Sequence, residues 1–152
     1  PELFASFAKA LEEILKNFKG NWKKIFEELE KLRQRMRNRE QENTYGLDRK
    51  RQMPFFRIFK AELFGNAELN EDQIAKNVSL TVNIVDKLQT ELRLLGFWNS
   101  IPAQNRLKSE LQKILLSPDF YQMPGMVSKF QQIISKIMEV ARVNHSKIIS
   151  EF

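Results

Sequence analysis

The sequence predicts an all-α protein, and three observations support this prediction. Apolar residues recur at three- and four-residue steps along most of the chain. No segment alternates apolar and polar residues as a half-buried strand does. The chain has 152 residues, of which 42% are hydrophobic and 12 are Phe, so it can bury a substantial core. We therefore expect residues 1–152 to form a single compact domain of about six helices.

The first two predicted helices follow each other closely. An apolar stripe runs from Leu3 to Phe18 and stops before Gly20, which is typical of a helix end. A second stripe runs from Trp22 to Met36. These patterns predict two amphipathic helices joined by a short turn.

The second helix carries a row whose character changes along its length. At about 100° per residue, Arg33 and Arg37 fall in line with Trp22, Phe26 and Leu29, which we expect to face the core. Guanidinium groups are rarely buried without partners. The end of this helix is therefore expected either to project beyond the core or to be covered by an anionic partner.

Four more helices are predicted after a polar segment. Residues 40–53 contain the Arg49-Lys50-Arg51 run and lack an apolar repeat, so we expect a mobile basic loop. Asn70 and Gln73 have the spacing of a capping box, and Pro102 suits the first turn of a helix. The apolar stripes place the four helices at residues 54–63, 70–95, 100–115 and 126–141.

Positive charge is concentrated between Lys31 and Lys60. Ten cationic and three acidic side chains give this segment a charge of +7, against +6 for the whole chain. Clustered cations attract phosphates and release counterions on contact, which indicates a polyanionic partner. A solvated helix end is the alternative. The candidate phosphate-binding residues are Arg33, Arg35, Arg37, Arg39, Arg49, Lys50, Arg51, Arg57 and Lys60.

Double-stranded DNA is the favoured partner. Arg outnumbers Lys in the segment, and the planar guanidinium binds phosphate in a bidentate way. A membrane surface is disfavoured, because Phe55, Phe56 and Phe59 lie opposite Arg57 and Lys60 on their predicted helix. We expect contacts that do not depend on base sequence. If about five cations meet phosphates, affinity should fall about two to three decades between ~50 and ~200 mM salt.

Aromatic clusters suggest a second kind of contact. The protein-docking candidates are Phe55, Phe56, Phe59 and Trp98, with burial in the core as the alternative. Trp98 is the better interface candidate, since it follows Gly96 at a predicted helix end. A purely protein-binding role also stays open, in which the arginines pair with acidic groups of a partner.

Neither a catalytic nor a metal site is indicated. The chain has no Cys and a single His, His145, so we expect no thiol nucleophile, no catalytic triad and no zinc site. Each of the five glycines stands alone, which argues against a Gly-rich phosphate cradle. We predict that the domain alone is not an enzyme and has no intrinsic cofactor. Phosphate or a nucleotide can still bind adventitiously at the cationic segment.

The setting expected from composition is the cytoplasm. The absence of Cys suits a reducing compartment, and the sequence shows neither a signal peptide nor an apolar run long enough to span a membrane. The chain opens at Pro1-Glu2 without an initiator Met, so we expect it to be a piece of a longer protein. The domain alone is expected to be a monomer.

Three stretches carry a resemblance to a known family. They are Phe55-Phe56-Arg57-Ile58-Phe59-Lys60-Ala61-Glu62-Leu63, then Leu94-Leu95-Gly96-Phe97-Trp98, then Gln104, Leu107, Glu110-Leu111 and Ile114-Leu115-Leu116. Their order over residues 54–116 resembles the C-terminal helical region of the motor subunit of type I restriction enzymes, type IC in particular. Most of these positions share only hydrophobic spacing, and the Phe-Trp pair followed by Gln104 is the most specific part.

The resemblance implies a place within a large complex. Its parent subunit is expected to be an ATP- and Mg-dependent endonuclease and DNA translocase, whose C-terminal domain holds it to the methyltransferase core. The family's nuclease and helicase motifs are absent from this sequence. The expected function is therefore that of a non-catalytic assembly domain, which docks to the methyltransferase core and contacts DNA phosphates through residues 31–60.

Overall fold

The computed structural model describes residues 2–40 and 42–150, with the side chains of residues 7–37 and 42–150. Every regular element in these ranges is helical, which confirms the all-α prediction. Contacts within the chain define two compact units, residues 1–43 and residues 44–152. The single domain expected over the whole chain stays a prediction.

The first unit is a helical hairpin. Helix α1 spans Glu2–Asn17 and α2 spans Trp22–Glu40. Gly20, with φ of +86°, turns the chain in a conformation that glycine adopts without strain. Asn21 Oδ1 then accepts a hydrogen bond from the backbone N–H of Lys24 at 3.2 Å, so Asn21 caps α2.

The core of the hairpin is small, and the side of α2 that it buries is not the side expected from the sequence. Its buried residues are Ile14, Ile25 and Leu32. Trp22 is 76% exposed and Phe26 is 67% exposed, although the sequence placed both in the core-facing row. The buried stripe is centred between Ile25 and Leu32, so Trp22 and Phe26 lie about 70° to 110° further round the helix. The side chain of Leu3, at the start of the first predicted stripe, lies outside the described residues.

The second unit contains the remaining helices. Its α-helices are α3 (Met53–Phe59), α4 (Glu71–Glu91), α5 (Ile101–Leu115), α6 (Met126–Val143) and α7 (His145–Ile149). A π-helical turn, Lys60–Phe64, continues α3, and a 3-10 turn, Phe97–Asn99, precedes α5. The short α7 was not predicted from the sequence, because five residues are too few to show a helical period.

The predicted helix boundaries are confirmed at two places. Asn70 Oδ1 accepts from the Gln73 N–H at 2.8 Å, and Gln73 Oε1 accepts from the Asn70 N–H at 2.9 Å, which is the expected capping box. Ser100 Oγ accepts from the Ala103 N–H at 3.2 Å, with Pro102 in the first turn of α5. Local hydrogen bonding therefore fixes where α4 and α5 begin.

Helix α4 is shorter than its apolar stripe predicts. The stripe extends to Leu95, but the helix ends at Glu91 and the chain continues in turns toward Gly96, whose φ is +72°. Leu92 is 1% exposed, whereas Leu95 is 96% exposed. The turns take Leu95 off the buried face, so the helix end predicted at residue 95 is wrong.

One apolar core unites the second unit. Helices α3 to α6 contribute fully buried side chains, among them Phe59, Leu88, Leu111 and Ile137. Ile148 of α7 is also fully buried in this cluster. Burying one large apolar side chain contributes about 1.5–3 kcal/mol, so this cluster supplies most of the unit's stability.

Candidate phosphate-binding and docking surfaces

Part of the predicted phosphate-binding set lies exposed along α2. Arg33, Arg35 and Arg37 are all exposed, and among the described residues Arg35 and Arg37 form no ion pair. The side chain of Arg39 lies outside the described residues. Guanidinium groups held in water on a helix present their paired donors to a phosphate at little desolvation cost.

Two neighbouring acids of α2 already engage cations. Lys31 Nζ donates to Glu28 Oε1 at 3.2 Å, and Arg33 Nη2 lies 3.5 Å from Glu30 Oε2. The hydrogen bond from Lys31 lowers the pKa of Glu28 below its ordinary value. Such exposed pairs contribute little to stability because solvent screens them, so an anionic ligand can replace them.

The predicted loop at residues 40–53 contains a turn organised by Asp48. Asp48 Oδ1 accepts hydrogen bonds from the backbone N–H groups of Lys50 at 3.0 Å and Arg51 at 2.7 Å. The Asp48 N–H donates to Gln52 Oε1 at 2.8 Å. Where the sequence predicted a mobile loop, the structure shows a hydrogen-bonded turn that leads directly into α3, because one carboxylate can satisfy two successive backbone donors.

The cations of the second unit differ in their access to solvent. Arg49 and Lys50 are exposed, whereas Arg57 and Lys60 are half-buried. Arg51 is only 7% exposed, which removes it from the set of side chains able to meet a phosphate in solution. The turn folds Arg51 back against the protein, a placement that charge and spacing alone do not reveal.

The cationic segment is divided between the two units. The predicted sites at 33–39 belong to the first unit, and those at 49–60 belong to the second. From the charge along the sequence, we expected these two sets of cations to form one patch. The structure gives two groups of cations, each carried by its own fold.

Three of the four predicted docking residues lie in the core. Phe55 and Phe59 are 0% exposed and Phe56 is 3% exposed, so all three are wrong as docking residues. Phe55 and Phe59 join the main core, and Phe56 packs in a smaller cluster with Leu47 and Met53. Aromatic side chains on both sides of a short helix can be buried when separate clusters receive them.

The fourth docking candidate, Trp98, is half-buried, and its side chain contacts other residues of the second unit. Its Nε1–H donates to Nδ1 of His145 at 3.0 Å, and its ring meets Phe97 edge-on with 4.8 Å between centroids. The guanidinium carbon of Arg142 lies 5.8 Å from the Trp98 ring centre. Trp98 and His145 therefore fix the start of α7 against the turn before α5.

Exposed apolar residues occur where sequence reasoning did not seek them. In the second unit, Leu94, Leu95 and Ile101 are 50%, 96% and 65% exposed around the connection between α4 and α5. In the first unit, the exposed aromatics are Trp22 and Phe26. One feature of the sequence indicated the exposure of Trp22 and Phe26: they align with arginines on α2, and a row that contains arginines is rarely buried.

Neither a metal centre nor a membrane span is found in the part of the chain that the structure describes. Its His, Asp and Glu residues form no group of three or more placed to hold a metal ion. None of its helices combines the length and apolarity needed to cross a bilayer.

Comparison of the chain with protein-family models, with curated proteins and with solved structures finds no match. The resemblance over residues 54–116 therefore rests on the residues that carry it.

Proposed function

We propose that this chain is a non-catalytic assembly domain whose α2 helix contacts the phosphates of double-stranded DNA without reading base sequence. The resemblance over residues 54–116 supports a place in the motor subunit of a type I restriction enzyme, docked to the methyltransferase core in the cytoplasm. ATP and Mg would act in other domains of that subunit.

The exposure of the α2 arginines is the observation that carries the phosphate-binding part. Arg33, Arg35 and Arg37 follow one another at two-residue steps and all reach solvent. Residues two apart lie about 200° from one another around a helix, so the three cover more than one side of α2. A rod with cations on several sides suits a backbone of repeating phosphates, and it needs no fixed register.

The assembly part of the proposal uses the second unit. Two exposed residues, Leu94 and Leu95, belong to the second stretch that carries the resemblance, and exposed Ile101 follows that stretch. Their side chains offer an apolar contact to a partner. Exposed apolar side chains that lie close together often mark protein interfaces. They take the docking role first assigned to Phe55, Phe56 and Phe59.

The test is binding of a labelled, sequence-random duplex, measured by fluorescence anisotropy from ~50 to ~300 mM salt. Three phosphate contacts predict that affinity falls about 40-fold between ~50 and ~200 mM. Arg33→Glu/Arg37→Glu should abolish this binding. The variant Arg93→Glu/Lys108→Glu changes the net charge equally at two exposed positions of the second unit and should bind nearly as well as wild type.

A purely protein-binding role is the second candidate, and the pairing of Arg33 with Glu30 shows that a carboxylate suits this helix. In that case the arginines pair with acidic groups of a protein partner. Free duplex would then bind negligibly even at ~50 mM salt. That result would overturn the DNA part of the proposal.

A further inference from the structure

One exposed face of α2 carries two aromatic rings and two guanidinium groups. Trp22, Phe26, Arg33 and Arg37 fall within about 60° of one another around the helix, and this set is the aromatic-arginine face. Trp22 is 76% exposed, Phe26 is 67% exposed, and both arginines are exposed. Trp, Phe and Arg in one exposed group have the composition of a binding surface.

The adjoining flank of α1 extends the apolar part of this face. Leu11 is 39% exposed and Leu15 is 47% exposed. Around α1, Leu11 and Leu15 are rotated away from the buried Ile14. Around α2, Trp22 and Phe26 are rotated away from the buried stripe in the same direction. In an antiparallel hairpin, displacements of the same sense fall on the same side. The apolar end of the face therefore lies near the hairpin turn, and the arginines lie farther along α2.

Charge favours a polyanion as the occupant. Of the two arginines on the face, Arg33 pairs with Glu30 at 3.5 Å, and Arg37 has no described ion-pair partner. A second copy of the chain, docked face to face about a two-fold axis, would bring two more guanidinium groups and, among the described side chains, a single neighbouring carboxylate, Glu30, which Arg33 already engages. Nucleic acid supplies phosphates for the arginines and flat apolar bases for the rings.

The exposed rings distinguish a single strand from a duplex. Bases within a duplex are stacked on one another, so their faces are hidden, whereas an unpaired strand can offer its bases to aromatic side chains. Along α2, Trp22 and Phe26 are about 6 Å apart and Phe26 and Arg33 about 10 Å apart, at 1.5 Å per residue. The face spans about 22 Å, which can accommodate several nucleotides.

Building on the phosphate contacts proposed above, we infer that the aromatic-arginine face binds single-stranded nucleic acid. Bases stack on Trp22 and Phe26, and Arg33 and Arg37 hold phosphates of the same strand. Stacking tolerates any base, so binding is independent of sequence. The shared chemistry of DNA and RNA strands fits the face equally.

Anisotropy with three labelled probes tests this inference on the full chain. The probes are oligo(dT) and oligo(rU) of about 20 nucleotides, longer than a typical single-strand site, and a random duplex. Trp22→Ala/Phe26→Ala should weaken binding of both oligonucleotides about a hundredfold, because two stacks are lost and each costs about a decade. Duplex binding should change less than about twofold.

A matched variant controls for the loss of exposed apolar surface. Val127→Ala/Val143→Ala removes two side chains of the second unit that are 62% and 67% exposed, and it should leave all three affinities unchanged. Equal effects of the aromatic variant on single strands and duplex, or no effect on either, would overturn the stacking inference. The proposed phosphate contacts would still stand if Arg33→Glu/Arg37→Glu abolishes duplex binding.

The remaining outcomes separate the two ideas. If wild type binds none of the probes at ~50 mM salt, both the stacking inference and the duplex-binding function are wrong. Binding of the single strands but not the duplex supports the stacking inference and overturns the duplex-binding function. A preference between oligo(dT) and oligo(rU) identifies which nucleic acid the face takes.

Tryptophan emission gives a second readout of the same contact. Trp22 and Trp98 are the two tryptophans of the chain, so Trp98→Phe leaves Trp22 as the single emitter. Stacked bases should quench Trp22 along the same binding curve as the anisotropy. Unchanged emission at saturating oligo(dT) would overturn the inference. If Trp98→Phe does not fold, the difference in quenching between wild type and Trp22→Phe supplies the same information.

Discussion

The two units of this protein differ in the size of their apolar cores and in the aromatic side chains that they leave exposed. Among the described residues, the hairpin buries three apolar side chains in its core, whereas the main core of the second unit buries twenty-two. The hairpin nevertheless leaves Trp22 and Phe26 exposed beside its arginines. A small hairpin cannot bury every large side chain that it carries, so part of its apolar surface stays exposed. The second unit retains its fold through a large core.

The largest effect that tests this contrast comes from replacing one Phe with Ala in each unit. Phe59→Ala should destabilise the second unit by about 3–5 kcal/mol, because it empties a fully buried site. Phe26→Ala removes a side chain that is 67% exposed and should change the free energy of unfolding by less than about 0.5 kcal/mol. Urea unfolding followed by circular dichroism measures both. Equal losses would break the comparison.

The next largest effect is expected at a buried carboxylate of the π-helical turn. Glu62 is 8% exposed, and its side chain accepts hydrogen bonds from Lys136 and, at 3.1 Å, from Gln132 Nε2, which tie the turn to α6. Glu62→Ala leaves these donors without their acceptor and should cost about 1–3 kcal/mol.

Glu110 provides the matched control for Glu62. Its pairs with Lys87 and Lys113 lie at the surface, so Glu110→Ala should cost about 0–1 kcal/mol in the same urea assay. A Glu110 variant as unstable as the Glu62 variant would show that burial does not set the energy of these pairs.

A stabilising change is expected within the large core itself. Asn77 in α4 is 0% exposed, and neither its Nδ2 nor its Oδ1 has a hydrogen-bond partner among the described residues. Asn77→Leu replaces unsatisfied polar atoms with apolar ones of similar size, so it should raise the free energy of unfolding by about 1–2 kcal/mol. Asn83→Leu, at an exposed position of the same helix, should have little effect. Destabilisation by Asn77→Leu would contradict this account.

The smallest effect concerns the surface of the hairpin. Because the bond from Lys31 lowers the pKa of Glu28 in the folded hairpin, the pair stabilises α2 above the unfolded pKa of about 4.3. This contribution is lost as the pH falls through the lowered pKa. Carboxyl chemical shifts in NMR should show Glu28 titrating below the ordinary pKa of a glutamate in an unfolded chain. Titration of Glu28 at that ordinary value would indicate that the pair does not form in solution.

Sequence reasoning succeeded where the structural signal comes from neighbouring residues. The capping box of Asn70 and Gln73 and the cap at Ser100 depend on neighbours within three residues, and the structure confirms both helix starts. It failed for Phe55, Phe56 and Phe59 as docking residues and for Arg51 as a phosphate ligand, because burial depends on what another helix or turn places against a side chain.

The sequence by itself determined the all-α class, the helix starts and the cationic character of residues 31–60, since helical period, capping chemistry and charge are local properties. Tertiary structure alone decided which side of α2 is buried and which aromatic rings reach solvent. A helical wheel gives the angles between side chains but not the direction of the neighbouring helix. Ile25 and Leu32 meet α1 in the hairpin core, and for that reason Trp22 and Phe26 remain exposed in line with Arg33 and Arg37.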